Sequence, residues 1–216
     1  MKILALEFSS PQRSVAVLSP LGGIAEIIET GKATKPLQMI EDALRQAGLE
    51  REQIECLAIG IGPGSYTGIR AAIAIAQGWQ LASGETVRLA AISSAECIAA
   101  QARADDLSGT IGVVIDAQRD EFYLAKYQIS LAEQRETAPL QLATKDQVCE
   151  FQRQGALVVG PEVTRWFPEG RIVFPRAATL GALASRRNDF VPGERLEPIY
   201  LRETRFVKAP PPRHIP

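Results

Sequence analysis

Histidine is nearly absent from this chain of 216 residues: the single one is His214, beyond a run of prolines. A zinc or iron centre needs three or more nitrogen, sulfur or carboxylate ligands, and a serine or cysteine hydrolase needs a base beside its nucleophile. A metal-dependent or histidine-assisted cleavage centre is therefore not expected. Cysteine is also scarce, with Cys56, Cys97 and Cys149 odd in number and without CxxC spacing. That pattern suits reduced thiols rather than a disulfide framework or a zinc site. Excess charge is missing too, since 24 Lys and Arg face 25 Asp and Glu, a net charge of −1. Nonspecific binding of nucleic acid through a general positive field is disfavoured. No targeting pattern opens the chain, because Met1 to Leu6 run straight into Glu7, Ser9 and Ser10. A cytoplasmic protein is expected. The most apolar helical segment, residues 65–82, is broken by Arg70, Gln77 and Gln80 and follows a turn, which excludes a membrane span.

Residues 60–70, GIGPGSYTGIR, join an apolar run to an apolar helix. Cys56, Leu57, Ala58, Ile59 and Ile61 read as a central strand covered on both faces. Gly62, Pro63 and Gly64 stop it, and Ser65 is a good helix N-cap with Thr67 close behind. A helix start presents unpaired amides and a positive dipole end to any anion. Known phosphate loops fit poorly, since neither Gly-Lys-Ser/Thr nor GxGxxG is matched. In the helix, Tyr66, Ile69, Ile73, Ala76 and Trp79 line one face, and Ala71, Ala74, Ile75, Gly78 and Leu81 line others. A helix without a polar face is buried all round or shared with a partner. Small residues at Gly68, Ala72 and Ala76, and at Ala71, Ala74 and Gly78, would admit a second helix at close range.

Elsewhere, residues 2–7, 14–18 and 24–29 predict an antiparallel meander. Leu37, Ile40, Leu44 and Ala47 predict an amphipathic helix closed by Gly48, and a strand at 87–92 precedes a helix from Ser93 or Ser94. The order is βββαβαβα. A polar stretch at 104–110 marks a boundary, giving lobes at 1–108 and 109–216. Strands at 111–115, 121–127 and 157–159 and a helix at 177–187 echo the first lobe and suggest a duplication. From Ala209 onward the prolines predict an extended, mobile tail. From Arg176 to the end, eight Lys or Arg against four Asp or Glu leave a local positive excess, read as a solvated surface because no aromatic platform is interleaved.

Four ordered segments carry a resemblance: MKILALEFSSPQRSVAVL at 1–18, GPGSYTGIR at 62–70, DAQRDEFY at 116–123, and Tyr200-Leu201-Arg202. Together they resemble the bacterial TsaB (YeaZ) family of tRNA threonylcarbamoyladenosine biosynthesis proteins. The resemblance implies an α/β fold of two ribonuclease H-like lobes, of the actin and hexokinase ATPase (ASKHA) type, the second lobe degenerate. It further implies a non-catalytic scaffold or activator of the paralogous transferase TsaD, with a TsaE-like ATPase in the same complex and tRNA bound only within it. ATP and a metal are then expected on the partner subunits, with no cofactor held by this chain. The implied partner interface comprises Leu37, Ile40, Leu44, Tyr66, Ile69, Arg70, Ile73, Ala74, Gln77 and Leu81, which self-association would cover in the isolated protein.

Where the family has Asp at the end of the first strand this chain has Glu7, and Gln118, Arg119 and Asp120 replace Arg-Arg-Gly. No glycine supports a phosphate hairpin after either acidic residue. Glu7, Ser9, Gly62, Gly64, Ser65, Thr67 and Asp116 accordingly read as a vestigial nucleotide or anion site, with Glu7 and Asp116 polar strand ends rather than a magnesium pair. The alternatives are an autonomous ATPase or kinase of the same fold and, less favoured on the ligand rules above, a metal-dependent glycoprotease.

Overall fold

The computed structural model describes residues 1–21, 23–31, 35–84 and 86–201. The proline tail and His214 lie outside them, as does Arg202 onward. The first half runs β1 (Ile3–Glu7), β2 (Gln12–Ser19), β3 (Gly23–Thr30), α1 (Pro36–Ala47), β4 (Cys56–Gly60), α2 (Tyr66–Ala82), β5 (Arg88–Ile92) and α3 (Ser94–Ala104). This is the order the sequence predicts. The sheet order is β3-β2-β1-β4-β5. Strands β1, β2 and β3 pair antiparallel, and β1, β4 and β5 parallel. Parallel strands need both faces covered, which is why β1 and β4 are buried throughout.

The two faces of that sheet are built differently. Leu4, Leu6, Val15, Val17, Leu57 and Ile59 point to α1 and α2, where Met39, Ile40, Ile69, Ile73 and Trp79 complete a core of large side chains. The opposite face carries Ala5, Ala16, Ala58 and Ala90. Such a shallow surface lets α5 (Ala177–Ala184) settle closely on it. A Cβ on Gly181 would lie 2.2 Å from Leu18 Cδ1, so a larger residue there would have to displace the Leu18 side chain.

The second half contains β6 (Gly109–Asp116), β7 (Glu121–Ile129), β8 (Gln134–Thr144), α4 (Lys145–Arg153), β9 (Leu157–Gly160), β10 (Arg171–Ile172) and α5. Its sheet order, β10-β9-β6-β7-β8, repeats the first, strand for strand. Where α2 would recur there is only a single 3₁₀ turn, Val163–Arg165. The duplicated plan therefore keeps one apolar outer helix, not two. Strand β8 and helix α4 escape the sequence reading. β8 is an edge strand with only Ala143 buried, and α4 buries just Val148 and Phe151, so neither leaves a strong apolar period.

The halves exchange their last helices. Ala95, Ile98, Ala99 and Ala102 of α3 pack with Ile111, Val113, Ala125 and Tyr127 of the second sheet, while α5 covers the first. Thr179 Oγ1 donates to Gln101 Oε1 at 2.5 Å, and Arg187 pairs with Glu96 at 2.5 Å, binding α3 to the segment around α5. After α5 the chain returns across α2. Val191 N donates to Leu89 O and Ile199 N to Ile61 O, both at 2.9 Å.

Candidate functional site: the outer face of α2 and the cleft at its start

The turn leaving β4 sets the position of α2. Gly62 and Gly64 take φ of 91° and 146°, values closed to other residues without strain. Ser65 caps the helix by accepting from Gly68 N at 3.4 Å. Gly68 itself sits against the end of β1, since a Cβ there would lie 2.0 Å from Phe8 O. One small-residue stripe of the helix, Gly68, Ala72 and Ala76, is thus consumed inside, allowing α2 to lie close over the sheet. The other stripe is not.

Tyr66, Thr67, Arg70, Ala74, Gly78, Leu81 and Ala82 face outward, Tyr66 at 55% and Leu81 at 74% exposure. Arg70 is the one charge in this stripe. A surface helix normally turns a polar face to water. Here the outer face, apart from Thr67 and Arg70, is apolar, and small in its middle at Ala74 and Gly78. By contrast α1 shows Gln38, Glu41, Arg45 and Gln46 to solvent, as an ordinary amphipathic helix does.

The structure divides the expected interface residues. Leu37, Tyr66, Arg70, Ala74 and Leu81 are exposed. Leu44 is half-buried, and so is Gln77, whose Nε2 donates to Gly193 O at 2.8 Å. Ile40, Ile69 and Ile73 must be corrected: at 4%, 2% and 6% exposure they belong to the core. On α2, apolarity on every side hides which residues face the sheet; Ile40, on the amphipathic α1, enters the interface only through the family resemblance. The outward stripe follows a spacing of four through 66, 70, 74 and 78, which helical geometry alone places on one side.

At the start of α2 lies a cleft of about 640 Å³ between the β1–β2 turn and the second half, with Ser9, Gly64, Ser65 and Tyr66 facing Asp116, Gln118 and Trp166. Of the expected anion-site residues, Ser9, Gly64, Ser65 and Asp116 line it. Thr67 is on the exposed outer side of α2, and Gly62 is buried, donating its N–H to Ser94 Oγ at 3.2 Å. Ser9 O accepts from Ser65 N at 2.7 Å, and a Cβ on Gly64 would lie 2.2 Å from that same oxygen. The β1–β2 turn therefore lies against the helix start and takes a donor that an anion would need.

Glu7 is sealed behind this turn, fully buried. Its carboxylate accepts from Ser9 N at 2.8 Å and Ser94 Oγ at 3.0 Å, in a space that exists because a Cβ on Gly60 would lie 2.0 Å from Oε2. Asp116 instead closes its own turn, accepting from Gln118 N at 2.8 Å and Nε2 at 3.0 Å. Gln118, Arg119 and Asp120 hold φ near +60° (65°, 58° and 60°), a conformation that costs non-glycine residues energy. Among the described residues no group of three His, Cys, Asp or Glu side chains is placed to share a metal ion.

Burial is the main force on Glu7 and raises its pKa, with the bonds from Ser9 and Ser94 opposing it in part. A raised folded-state pKa means that the native chain binds the proton more tightly than the unfolded chain. Its contribution to stability is full below the ordinary carboxylate range and lost as pH rises through the folded value. Glu7→Gln removes that titration while retaining the shape. The wild-type melting temperature is expected to fall, relative to the variant, as pH rises above the ordinary carboxylate range. Parallel profiles for the two proteins would contradict the assignment.

Two sheets of identical order, cross-covered by each other's terminal helices and meeting at a cleft, define a mixed α/β protein of the ASKHA type. The family model described as "TsaD: tRNA N6-adenosine threonylcarbamoyltransferase" matches residues 13–192. The tRNA threonylcarbamoyladenosine biosynthesis protein TsaB of Haemophilus influenzae is 30% identical over 235 aligned residues, spanning 97% of this chain and 98% of the relative. TsaB of Escherichia coli is 33% identical over 130 residues, 59% of this chain and 55% of that protein. Among solved structures, YeaZ from Pseudomonas aeruginosa superposes with a TM-score of 0.79 at 26% identity, covering 93% of this chain and 99% of the other. The chain belongs to the TsaB (YeaZ) family, within the broader group that the transferase model describes.

Proposed function

We propose that this protein works in the formation of threonylcarbamoyladenosine in tRNA, as a non-catalytic subunit that docks a TsaD-like transferase through the outer face of α2. The relatives' names supply the pathway. The observation that carries the docking role is the outward stripe of Tyr66, Ala74, Gly78 and Leu81, apolar and nearly uncharged on an exposed helix. A partner of the same fold would bring its own corresponding helix, and small residues let two helices approach closely.

The cleft supports an accessory rather than a catalytic reading. Glu7 is enclosed, and Ser65 N is engaged by Ser9 O. ATP, metal and the transferred group are assigned to the transferase and to a TsaE-like ATPase, with tRNA held by the assembly in the cytoplasm. Among the described residues no helix is long and apolar enough to cross a membrane. Docking acts by differential affinity: contact with α2 is stronger in the competent state of the transferase, so that state gains population. In the absence of the transferase a second copy of this chain covers the same face.

Reconstitution tests this directly. Transferase, ATPase, ATP, the threonine-derived intermediate and tRNA are combined with and without this chain. Modified tRNA is expected to accumulate only when the chain is present. Equal rates without it would refute the role, and magnesium-dependent ATP turnover by the chain alone would point to an autonomous ATPase instead.

A further inference from the structure

The outer face of α2 does not end with the helix. The returning segment is tied down along α2: Gly193 O accepts from Gln77 Nε2 at 2.8 Å, and Gly193 N donates to Gln80 Oε1 at 2.9 Å. Ile199 N is fastened to Ile61 O at 2.9 Å, one residue before Tyr200. Tyr200 is thereby delivered onto the first turn of the helix, its ring centroid 5.9 Å from that of Tyr66 with the planes tilted by 36°. The Arg70 guanidinium lies 5.1 Å from the Tyr66 ring centroid and donates to the Tyr66 hydroxyl. Both tyrosines stay about half exposed, at 55% and 53%.

Two exposed rings and a guanidinium, held from three directions, are an unusual use of surface. Tyrosine and arginine are enriched at the strongest points of protein interfaces; tyrosine buries a large area with two torsions to freeze, and arginine offers a planar fork of donors. Arg70 is also incomplete. Among the described residues no carboxylate pairs with it, although it stands alone as a charge in an apolar stripe. Covered by a partner without an acceptor, it would be a desolvated unpaired cation, a costly arrangement.

Resting on the docking role proposed above, we infer that Tyr200 is the anchor of the transferase interface, and that the transferase meets it with an acidic side chain directed at Arg70. The docking surface is then a composite of α2 and the returning segment, pre-formed in the free protein. An acidic group recognises it by a charge-assisted bond to the guanidinium, with the tyrosine rings excluding water around the pair.

The test uses the full chain and the full-length transferase from the same genome, with affinities measured at low and moderate salt. Ala74→Arg reports on the docking face as a whole, and circular dichroism confirms that each variant is folded. Tyr200→Ala is expected to weaken binding fivefold or more. Arg70→Gln is expected to weaken it and to flatten its salt dependence, since the ionic contact is gone. If Ala74→Arg abolishes binding while Tyr200→Ala changes it less than fivefold, the anchor is overturned and the docking role stands. An unchanged salt dependence in Arg70→Gln removes the acidic partner. If Ala74→Arg binds normally, the docking role itself fails. A loss of tRNA affinity by the assembly, with transferase affinity intact, would reassign the tyrosines to RNA and overturn the inference.

Discussion

Ala74→Arg is expected to lower affinity for the transferase at least a hundredfold, about 2.7 kcal/mol, while leaving the isolated protein folded. Ala74 is exposed in the middle of α2, one turn from Arg70 and from Gly78. In water an arginine at such a site costs only tenths of a kcal/mol, because helix propensity falls slightly and nothing is displaced. Against another helix the same side chain both blocks close approach and carries an unpaired charge into an apolar contact. Titration calorimetry on the purified pair, with thermal melts of the variant alone, separates the two effects. Binding within threefold of wild type would show that α2 is not the docking face.

Ile73→Glu, one residue away, is expected to do something different and larger. Ile73 is 6% exposed, packed in the core that α2 shares with the first sheet. Burying a carboxylate there, or forcing the helix aside to hydrate it, should cost on the order of 4 kcal/mol or more of folding stability. Denaturant unfolding of the isolated chain measures this. Failure of this variant to copurify with a transferase would then report folding, not recognition. A folded variant that loses less than about 1 kcal/mol would show that α2 can roll on the sheet and that Ile73 is not held in the core.

The neighbouring positions show what local pattern can and cannot specify. Gly62, Pro63, Gly64 and Ser65 announced a strand stop and a helix cap, and the structure places both there because these residues act through their own backbone and nearest neighbours. The same is true of Gly48, which ends α1 at φ 62°. The outward side of α2 was not legible in that way. Isoleucine at 69 and 73 and alanine at 71 and 74 make every side acceptable to a core, so no contrast of polarity marked the exposed stripe. On α2 that leaves Ile69 and Ile73 open to either assignment, and the core shared with the first sheet takes both; Ile40, which the family resemblance alone puts in the interface, is buried where α1 packs on β2 and β3.

Distance in the chain concealed the rest. Glu7 reads as a strand-end acid like Asp116, and only the approach of Ser94, 87 residues away, and the missing Cβ of Gly60 turn it into an enclosed acceptor. Tyr200 reads only as part of the last segment of the family resemblance until the bond from Ile199 to Ile61 O lays it on Tyr66. Helix starts, strand runs and the order of elements in the first half were decided by the residues themselves, since propensity and capping act within a few positions. Which face of α2 meets water, which carboxylate is closed off and which aromatic joins the docking surface were decided by tertiary packing, because burial is settled by neighbours that the chain brings in from afar.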